Sequence, residues 1–476
     1  MNRLKAKDLS NLSKTELIDL VTKLYGVIQD LEDRVSKNSQ NSGKPPSSDG
    51  YLKPSPKSRR EKTDKSVGGQ NGHTGNTLQQ INNPDLIKVY KVTKCCKCGA
   101  SLEDIAPIRH ECRQEFDIIK PRSIVTEHQG EVKICSTCLT SNTSVFPDHI
   151  NSPAQYGINV RSYSIYLNQY QLIPFKRLQE MFKDCFDLHI SQGSLVNFNR
   201  HCANKLSPAL DAIKSDIVNS KVAHFDEISM RINGKINWLH VASTKRSTYY
   251  GIHSKRGNVA MDKIGILPKI QGTAIHDYWK PYMRYYQCRH ALCNAHHLRE
   301  LEFIYERSKK PWAKKMMKLL LRINKVVTHY KGIGENKLPD KEIGFFEKEY
   351  QQIMDDWFNE APIEYTPSLT KRSQIEIRSE NLGDRFNLKR HLILGFMYNF
   401  DIEFTNNLAE QDIRMCKVKS KISGSFRSDR GSSNFVKIRS YISTIRKNKQ
   451  NILDALSSVF DSTTPLLPDW YLGRTV

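Results

Sequence analysis

The chain has 476 residues, too many for one compact core, so the sequence predicts two to four structural units. Its 73 Lys and Arg against 50 Asp and Glu give a formal charge of +23, which favours a polyanionic partner: nucleic acid first, with a ribosome or an acidic membrane surface as alternatives. The N-terminus lacks the apolar run of a signal peptide and no stretch approaches the ~20 apolar residues of a membrane span, so we expect a cytoplasmic protein that does not contact membranes.

Residues 1–37 are predicted to form a coiled-coil helix. Six apolar side chains alternate steps of four and three, the spacing of a narrow helical seam: Leu17, Val21, Leu24, Ile28, Leu31 and Val35. This pattern favours a homo-oligomer, and the alternative is a solitary amphipathic helix folded back onto the body.

Residues 38–85 are rich in Ser, Asn, Lys and Pro, and this composition predicts a disordered basic linker. The linker either contacts DNA phosphates or is a solvated tether.

Residues 86–150 are predicted to form a small zinc-binding β module, with β-like runs at 118–119 and 123–125. Two Cys-x-x-Cys pairs suit tetrahedral Zn²⁺ coordination: Cys95, Cys98, Cys135 and Cys138. The interval between the pairs is longer than the commonest ribbon spacing, so Cys96, His110 or Cys112 could replace a ligand. The alternative is a set of buried cysteines that pack as small hydrophobic side chains.

Residues 155–215 are predicted to form a helical DNA-binding segment. The run from Leu178 to Phe186 predicts a helix, the residues from Asp187 predict a turn, and Ser191 is a plausible N-cap for a second helix. This pattern indicates a helix-turn-helix that enters a major groove, or a plain helical hairpin that packs on the next domain.

Residues 218–460 predict an α/β catalytic domain. Three β-rich runs begin at 222, 235 and 247, and Gly234 marks the first hairpin turn. A helical stretch to Ile270 precedes a fourth strand that ends at Asp277. An antiparallel meander followed by crossover strands makes a mixed sheet flanked by helices, in which Asp226 and Asp277 could face each other.

A long interval separates Asp277 from Glu410 and predicts a helical insertion at about 300–390. Glu410 lies in a helix predicted to begin near Thr405 or Asn406. Asn407 and Arg414 lie on the same helical face and are candidate contacts for DNA phosphates. Taken alone, Glu410 and Arg414 could equally form a surface ion pair. Residues 461–476 are predicted to be a C-terminal tail.

The stretch after Glu410 is strongly basic and contains aromatic residues. It predicts a DNA path beside Asp226, Asp277 and Glu410, although a solvated charged face is the alternative. The first candidate contacts are Lys417, Lys419, Arg427 and Arg430.

Cys293 and His296 could form a second metal site. A packed cysteine and a hydrogen-bonded or phosphate-facing histidine are favoured, so we leave both outside the catalytic set.

The whole chain resembles IS66-type insertion-sequence transposases, which carry the acidic triad of the RNase H-like superfamily. Besides the heptads and the cysteine pairs, the resemblance rests on these motifs: Asn-Ser-x-Asn-Ser-x-Lys-Pro-Pro-Ser-Ser-Asp at 38–49, Phe-Asp-Glu at 225–227, His-Asp-Tyr-Trp-Lys-Pro-Tyr at 276–282, Cys-Asn-Ala-His at 293–296, Asn-Asn-Leu-Ala-Glu-Gln-x-Ile-Arg at 406–414, and Gly-Ser-Phe-Arg-Ser-Asp-Arg-Gly at 424–431. This chain has Ile228 and Tyr278 where the family usually has Thr and Gly.

The resemblance implies a DNA transposase whose catalytic residues and Mg²⁺ (or Mn²⁺) ligands are Asp226, Asp277 and Glu410. It implies cleavage and strand transfer on double-stranded DNA, at element ends and target, and possible small companion proteins of the element. Carboxylate oxygens suit hard divalent cations, and two ions ~3.5–4 Å apart suit in-line displacement. The alternatives are a non-catalytic DNA-binding regulator or inactive copy, a nucleic-acid scaffold, and a metal-dependent nuclease with another role.

Overall fold

The computed structural model describes most of the predicted units. The described residues are 12–38, 41, 78–117, 123–360 and 374–461. Most of the predicted linker, the run at 118–119 and the tail from 462 lie outside them. Among the described residues, no helix has the length and apolar character needed to cross a membrane.

The first helix, α1 (Lys14–Ser36), begins with a capping box in which Ser13 and Glu16 satisfy each other's backbone N–H groups. The side chains of the predicted seam are exposed along its whole length, from 37% at Leu17 to 84% at Val35. The end of the helix touches the body through an ion pair between Glu32 and Arg307 at 3.4 Å. The seam is therefore accessible to a partner, and the coiled coil stays a prediction.

Residues 78–150 contain two short antiparallel strands, β1 (Val132–Ile134) and β2 (Ser141–Thr143). The expected strand at 123–125 is wrong: Ile124 is 86% exposed, Val125 is 94% exposed, and no described strand pairs with them. A strand of three residues has no stability of its own without a neighbour to complete its hydrogen bonds.

A helical segment follows and carries its own small core. Its elements are α2 (Ile158–Ile165), a π-helical turn (Tyr166–Tyr170), α3 (Phe175–Phe186), α4 (Gln192–Lys205) and α5 (Ser207–Val218). Asp187 ends α3 with a φ of +51°, and the Ser191 hydroxyl accepts the Ser194 backbone N–H at 3.0 Å, so the predicted N-cap is confirmed. Two helices joined by a tight turn are present as expected.

The five-stranded sheet of the second half has the order β5-β4-β3-β6-β7. Its strands are β3 (Val222–Ile232), β4 (Lys235–Ser243), β5 (Thr248–His253), β6 (Thr273–His276) and β7 (Arg289–Leu292). The first three form an antiparallel meander, and β6 and β7 run parallel to β3. Asn233 and Gly234 have positive φ values of 50° and 73°, as a two-residue hairpin turn between β3 and β4 requires. The mixed sheet and the Gly234 turn are therefore confirmed.

Helices cover the sheet and carry two larger cores. Between strands lie α6 (Asn258–Ile264) and a 3-10 turn (Lys280–Arg284); after β7 come α7 (Asn294–Ser308), α8 (Pro311–Gly332), α9 (Asp340–Glu360), α10 (Gln374–Leu388), α11 (Arg390–Ile393), α12 (Gly395–Tyr398), α13 (Asn407–Ser423), α14 (Asp429–Lys447) and α15 (Ile452–Phe460). Helices α7–α12 share a core around Trp312, Tyr350 and Phe386, whereas α14 and α15 pack with α2, α4 and the sheet. The inserted helices thus have a hydrophobic core separate from that of the sheet.

Candidate active site

Asp226 and Asp277 occupy equivalent positions along two adjacent parallel chain segments. The last paired positions of β3 and β6 are His224 and Ile275. Two residues further on lie Asp226, within β3, and Asp277, which follows the end of β6 by one residue instead of ending the strand as the sequence predicted. Each carboxylate accepts a nearby backbone N–H, Asp226 from Glu227 at 2.8 Å and Asp277 from Trp279 at 3.1 Å. Side chains at the same level of neighbouring parallel strands lie close together, so the strand pairing brings these two acids to one place.

Glu410 comes to the same region on α13, because the start of that helix is fixed to β3. The N-cap of α13 is Asn406, as the sequence predicted within one residue. The Asn406 side chain donates to the Phe225 carbonyl at 2.7 Å and contacts Nδ1 of His224 at 3.0 Å. Its amide group is buried, so these bonds hold the first turn of α13 beside the strand that carries Asp226.

The charges of the three acids are close enough to act on one another. Burial raises the pKa of Asp226 to about 6; the Glu227 N–H and Lys417 oppose this rise, and the charges of Asp277 and Glu410 add to it. Carboxylates that repel each other at one site favour either protonation or a bound cation. The donor set therefore fits a hard divalent cation.

Cys293 and His296 also lie against Glu410, although sequence reasoning left them outside the site. Their ligand atoms and those of Glu410 all lie within 4.8 Å of one another. Cys293 precedes α7, directly after β7, and its Sγ accepts the Asn406 backbone N–H at 3.1 Å. The sheet topology could have indicated that Cys293 belongs to the site, because β7 is parallel to β6 and ends at the same edge of the sheet as Asp277.

Among the described residues, Cys293, His296 and Glu410 form the only group of three or more potential metal ligands whose ligand atoms all lie within 4.8 Å of one another. The oxygens of Asp226, Asp277 and Glu410 are therefore spread more widely than 4.8 Å. A wider spread suits two cations ~3.5–4 Å apart better than one shared ion. In addition, Oε1 of Glu410 and Nδ1 of His296 are buried without a hydrogen-bond partner among the described residues.

An ion pair between the buried Glu227 and the half-buried Arg256 supports the strand beside Asp226. Glu227 accepts two hydrogen bonds from Arg256, at 2.8 and 3.0 Å, and one from the Tyr282 hydroxyl at 2.5 Å. The guanidinium of Arg256 lies 4.8 Å from the ring centre of Trp238 and 4.1 Å from that of Trp279. Sequence reasoning missed this network, because Trp238 and Arg256 come from separate elements with no shared motif.

The candidate DNA contacts fall into two groups. Asn407, Arg414 and Lys417 are exposed on the face of α13 that includes Glu410, and Arg427 and Arg430 are exposed in the segment that leads into α14. Lys419 is half-buried, and burial lowers its pKa. Lys419 is therefore less accessible to a DNA phosphate than the other five.

The two cysteine pairs adopt matching local turns. Gly99 donates its N–H to the carbonyl of Cys95 at 3.0 Å, and Leu139 does the same to Cys135 at 2.9 Å. Backbone hydrogen bonds from the second half of each turn lower the thiol pKa of Cys95 and lower that of Cys135 to about 7. Each turn therefore favours a thiolate, as Zn²⁺ ligation requires.

The structure does not bring the two pairs into one cluster. No three of the sulfurs of Cys95, Cys98, Cys135 and Cys138 lie within 4.8 Å of one another. The alternative of buried, packed cysteines does not fit either, since these four side chains are exposed or partly exposed.

Comparisons with known proteins show the family of the chain. Residues 153–434, more than half of the chain, match the family model described as Transposase IS66 family, and residues 5–79 match a family of unknown function, DUF6444. No curated protein matches the chain. One matching solved structure is the crystal structure of the Mos1 strand transfer complex, with 12% identity, coverage of 51% of this chain and 79% of that chain, and a TM-score of 0.11. This TM-score is too low to carry an argument about the fold.

Proposed function

Since the chain belongs to the IS66 transposase family, we propose that it catalyses divalent-metal-dependent DNA strand cleavage and strand transfer at insertion-sequence ends, by in-line displacement. The observation that carries this proposal is the approach of three carboxylates from separate elements. Asp226 on β3 and Asp277 just after β6 occupy equivalent positions, and Glu410 is brought to them by α13. The antiparallel meander followed by parallel crossover strands supports an RNase H-like catalytic domain.

Asp226, Asp277 and Glu410 would hold Mg²⁺ or Mn²⁺. When bound, such ions activate a water or a 3′-hydroxyl and stabilise the leaving oxygen of the phosphodiester. The chain itself orients the acids through Asn406 and through the N–H groups of Glu227 and Trp279. Lys417 supplies positive charge near Asp226, where a DNA phosphate would approach.

The proposed substrate is double-stranded DNA, both at the element ends and at the target. The exposed cations that follow Glu410 support this choice, because they continue from the catalytic helix face onto the next segment. The same proposal includes self-association through α1, zinc ligation by the two cysteine turns, and assistance from small companion proteins of the element. The exposed seam of α1 supports the first of these, and the lowered thiol pKa values of Cys95 and Cys135 support the second.

The decisive experiment measures cleavage and joining on DNA that carries the element ends, with Mg²⁺ or Mn²⁺ and with the neighbouring genes co-expressed. We expect Asp277→Asn and Glu410→Gln to reduce joined product by at least about 10³-fold, because each removes a charged ligand from a transition state that depends on the metal. Asp384→Asn is the matched control, since Asp384 is exposed on α10 in the helical insertion. This control should cut and join DNA as the wild type does.

DNA binding by each variant separates lost chemistry from lost folding. Loss of product with binding intact supports the proposal. Undiminished cleavage by Asp277→Asn or Glu410→Gln overturns the assignment of the triad. A wild-type protein that binds element ends but never cuts them identifies a regulator or an inactive copy instead.

A further inference from the structure

A large open cleft lies between the helical segment and the last helices of the catalytic domain. Its volume is about 970 Å³, and its walls come mainly from α4 and α14, with α2 and the residues before it at one side. Neither Asp226, Asp277 nor Glu410 lines it. The cleft is therefore distinct from the candidate active site.

One face of α4 forms the first wall. Its lining residues have the spacing of a single helical face: Asn197, Arg200, His201 and Asn204. The opposite face of the same helix is buried, through Leu195, Cys202 and Ala203. The packing of the apolar face therefore fixes the direction of the polar one.

The first turns of α14 form the second wall, with the same spacing. Arg430, Ser433, Asn434 and Lys437 line the cleft. The other face of α14 is buried through Phe435, Val436 and Ile438. The α4 wall thus presents one cation, Arg200, between two asparagines, and the α14 wall presents Arg430 and Lys437 beside a serine and an asparagine. Both walls are anchored by a hydrophobic face behind them.

The cleft is strongly positive. Four guanidinium or ammonium groups line it, from Arg161, Arg200, Arg430 and Lys437, and no lining residue in the described chain is acidic. Within the described residues, Arg200, Arg430 and Lys437 have no acidic partner. In agreement, the pKa of His201 is lowered, first by burial and then by neighbouring cations that include Arg161 and Arg200.

We propose that this cleft binds the phosphodiester backbone of the DNA substrate at a position away from the cleavage site. Cations, amides and hydroxyls are the groups that contact DNA phosphates, and they position a duplex without reading its sequence. The cleft lies between the helical segment and α14, the helix that follows the Glu410 helix α13, so one bound duplex would hold these two parts in a fixed position relative to each other. This inference rests on the proposed function, because it takes the substrate of the transposase as its ligand.

The test compares two double variants with the same loss of charge. Arg200→Gln with Lys437→Gln removes one cation from each wall, whereas Lys318→Gln with Lys341→Gln removes two exposed cations from the helical insertion. Binding of a fluorescent duplex carrying an element end is measured by anisotropy across a salt titration, and thermal unfolding checks the fold.

We expect the cleft variant to bind at least about 10-fold more weakly and to lose about two units from the slope of log K against log salt, one per phosphate contact. The insertion variant should keep a slope close to that of the wild type. As a second variant, Asn197→Glu places an anion in the cleft and should weaken binding, whereas Arg200→Lys keeps the charge and should preserve most of it.

The outcomes separate this inference from the proposed function. If the two double variants change the slope equally, only the overall charge matters and the cleft inference is overturned while the transposase proposal stands. If Asn197→Glu binds as the wild type does, the cleft is likewise excluded. If the wild type binds no duplex DNA at all, both fail, and preferential binding of an acidic protein would identify another partner for the cleft.

Discussion

Asn406 connects three elements that carry the candidate active site. Its side chain bonds to β3 beside Asp226, its backbone N–H donates to Cys293 after β7, and its position begins the helix of Glu410. The amide is buried, so its removal leaves the Phe225 carbonyl without this donor in a region that water does not reach. Asn406 is therefore a positioning residue.

We expect Asn406→Ala to lower the stability of the chain by about 1–3 kcal/mol, the cost of leaving a buried polar group unpaired. Strand cleavage should fall by more than the unfolded fraction explains, because Glu410 loses its fixed position. Asn406→Asp keeps the oxygen that faces His224 and should restore part of the activity. Thermal unfolding and single-turnover cleavage would show this, and equal activity of the alanine variant and the wild type would contradict the assigned role.

Glu227 and Arg256 make a second residue-scale prediction. Burial raises the pKa of Glu227 to about 7, against the hydrogen bonds from Tyr282 and Arg256. Arg256→Met leaves this carboxyl without its cation and should destabilise the chain by up to about 3–5 kcal/mol, reduced to the extent that water reaches Arg256. Glu227→Gln keeps a neutral acceptor and should cost about 1 kcal/mol. Thermal unfolding ranks the two variants, and the reverse order would refute this account.

At the scale of elements, residues 78–150 have almost no buried side chains in the described structure. A segment with two three-residue strands and no core cannot offset the entropy of ordering its backbone. Zinc ligation by the two cysteine turns, which stays a prediction, would supply folding free energy to such a module. The apolar seam of α1 is likewise exposed and packs against no hydrophobic core in the described structure. Self-association through this seam stays a prediction.

The zinc prediction is tested by metal content and limited proteolysis. Wild-type protein should carry about one zinc ion per chain, and Cys98→Ser should lose it and expose residues 86–150 to protease. Cys185→Ser is the matched control, because Cys185 is exposed on α3, outside the two turns. Cys96→Ser and Cys112→Ser decide whether either replaces a presumed ligand. Zinc that survives Cys98→Ser would exclude the four-cysteine set.

At the scale of the whole molecule, buried histidines should make stability depend on pH. Burial lowers the pKa of His240 to about 4 and that of His276 to about 3, and it holds the pKa of His297 well below 6.5. Below about pH 6.5 the unfolded chain binds a proton at each position and the folded chain does not, so stability falls as the pH drops towards 4. Asp226 and Glu227, whose pKa values burial raises to about 6 and about 7, act in the opposite direction, but they are two groups against three histidines.

The thermal unfolding midpoint should therefore decrease between pH 6.5 and 4.5. In His240→Gln, unfolding takes up at most one proton fewer than in the wild type. The slope of the free energy of unfolding against pH should therefore decrease by up to about 1.4 kcal/mol per pH unit. A midpoint that is constant or rises on acidification would contradict the claim that the buried histidines dominate the pH dependence.

Local sequence patterns were enough to predict the mixed sheet, the hairpin at Gly234, the cap at Ser191 and the start of the Glu410 helix. These features depend on alternation of side chains, a Gly with positive φ, and a polar residue before a helical run. The motifs also identified the family, which the match over residues 153–434 confirms, whereas the roles of the three acids stay a prediction.

The packing of separate elements set which side chains meet. It placed Cys293 and His296 against Glu410, paired Glu227 with Arg256, and turned one face of α4 and one of α14 into the same cleft. It also left the strand expected at 123–125 without a partner. The physical reason is that these contacts depend on how β3, β6, β7 and the helices pack, and a spacing along the chain carries no information about contacts between separate elements, even when the residues are as close as the 29 positions between Glu227 and Arg256.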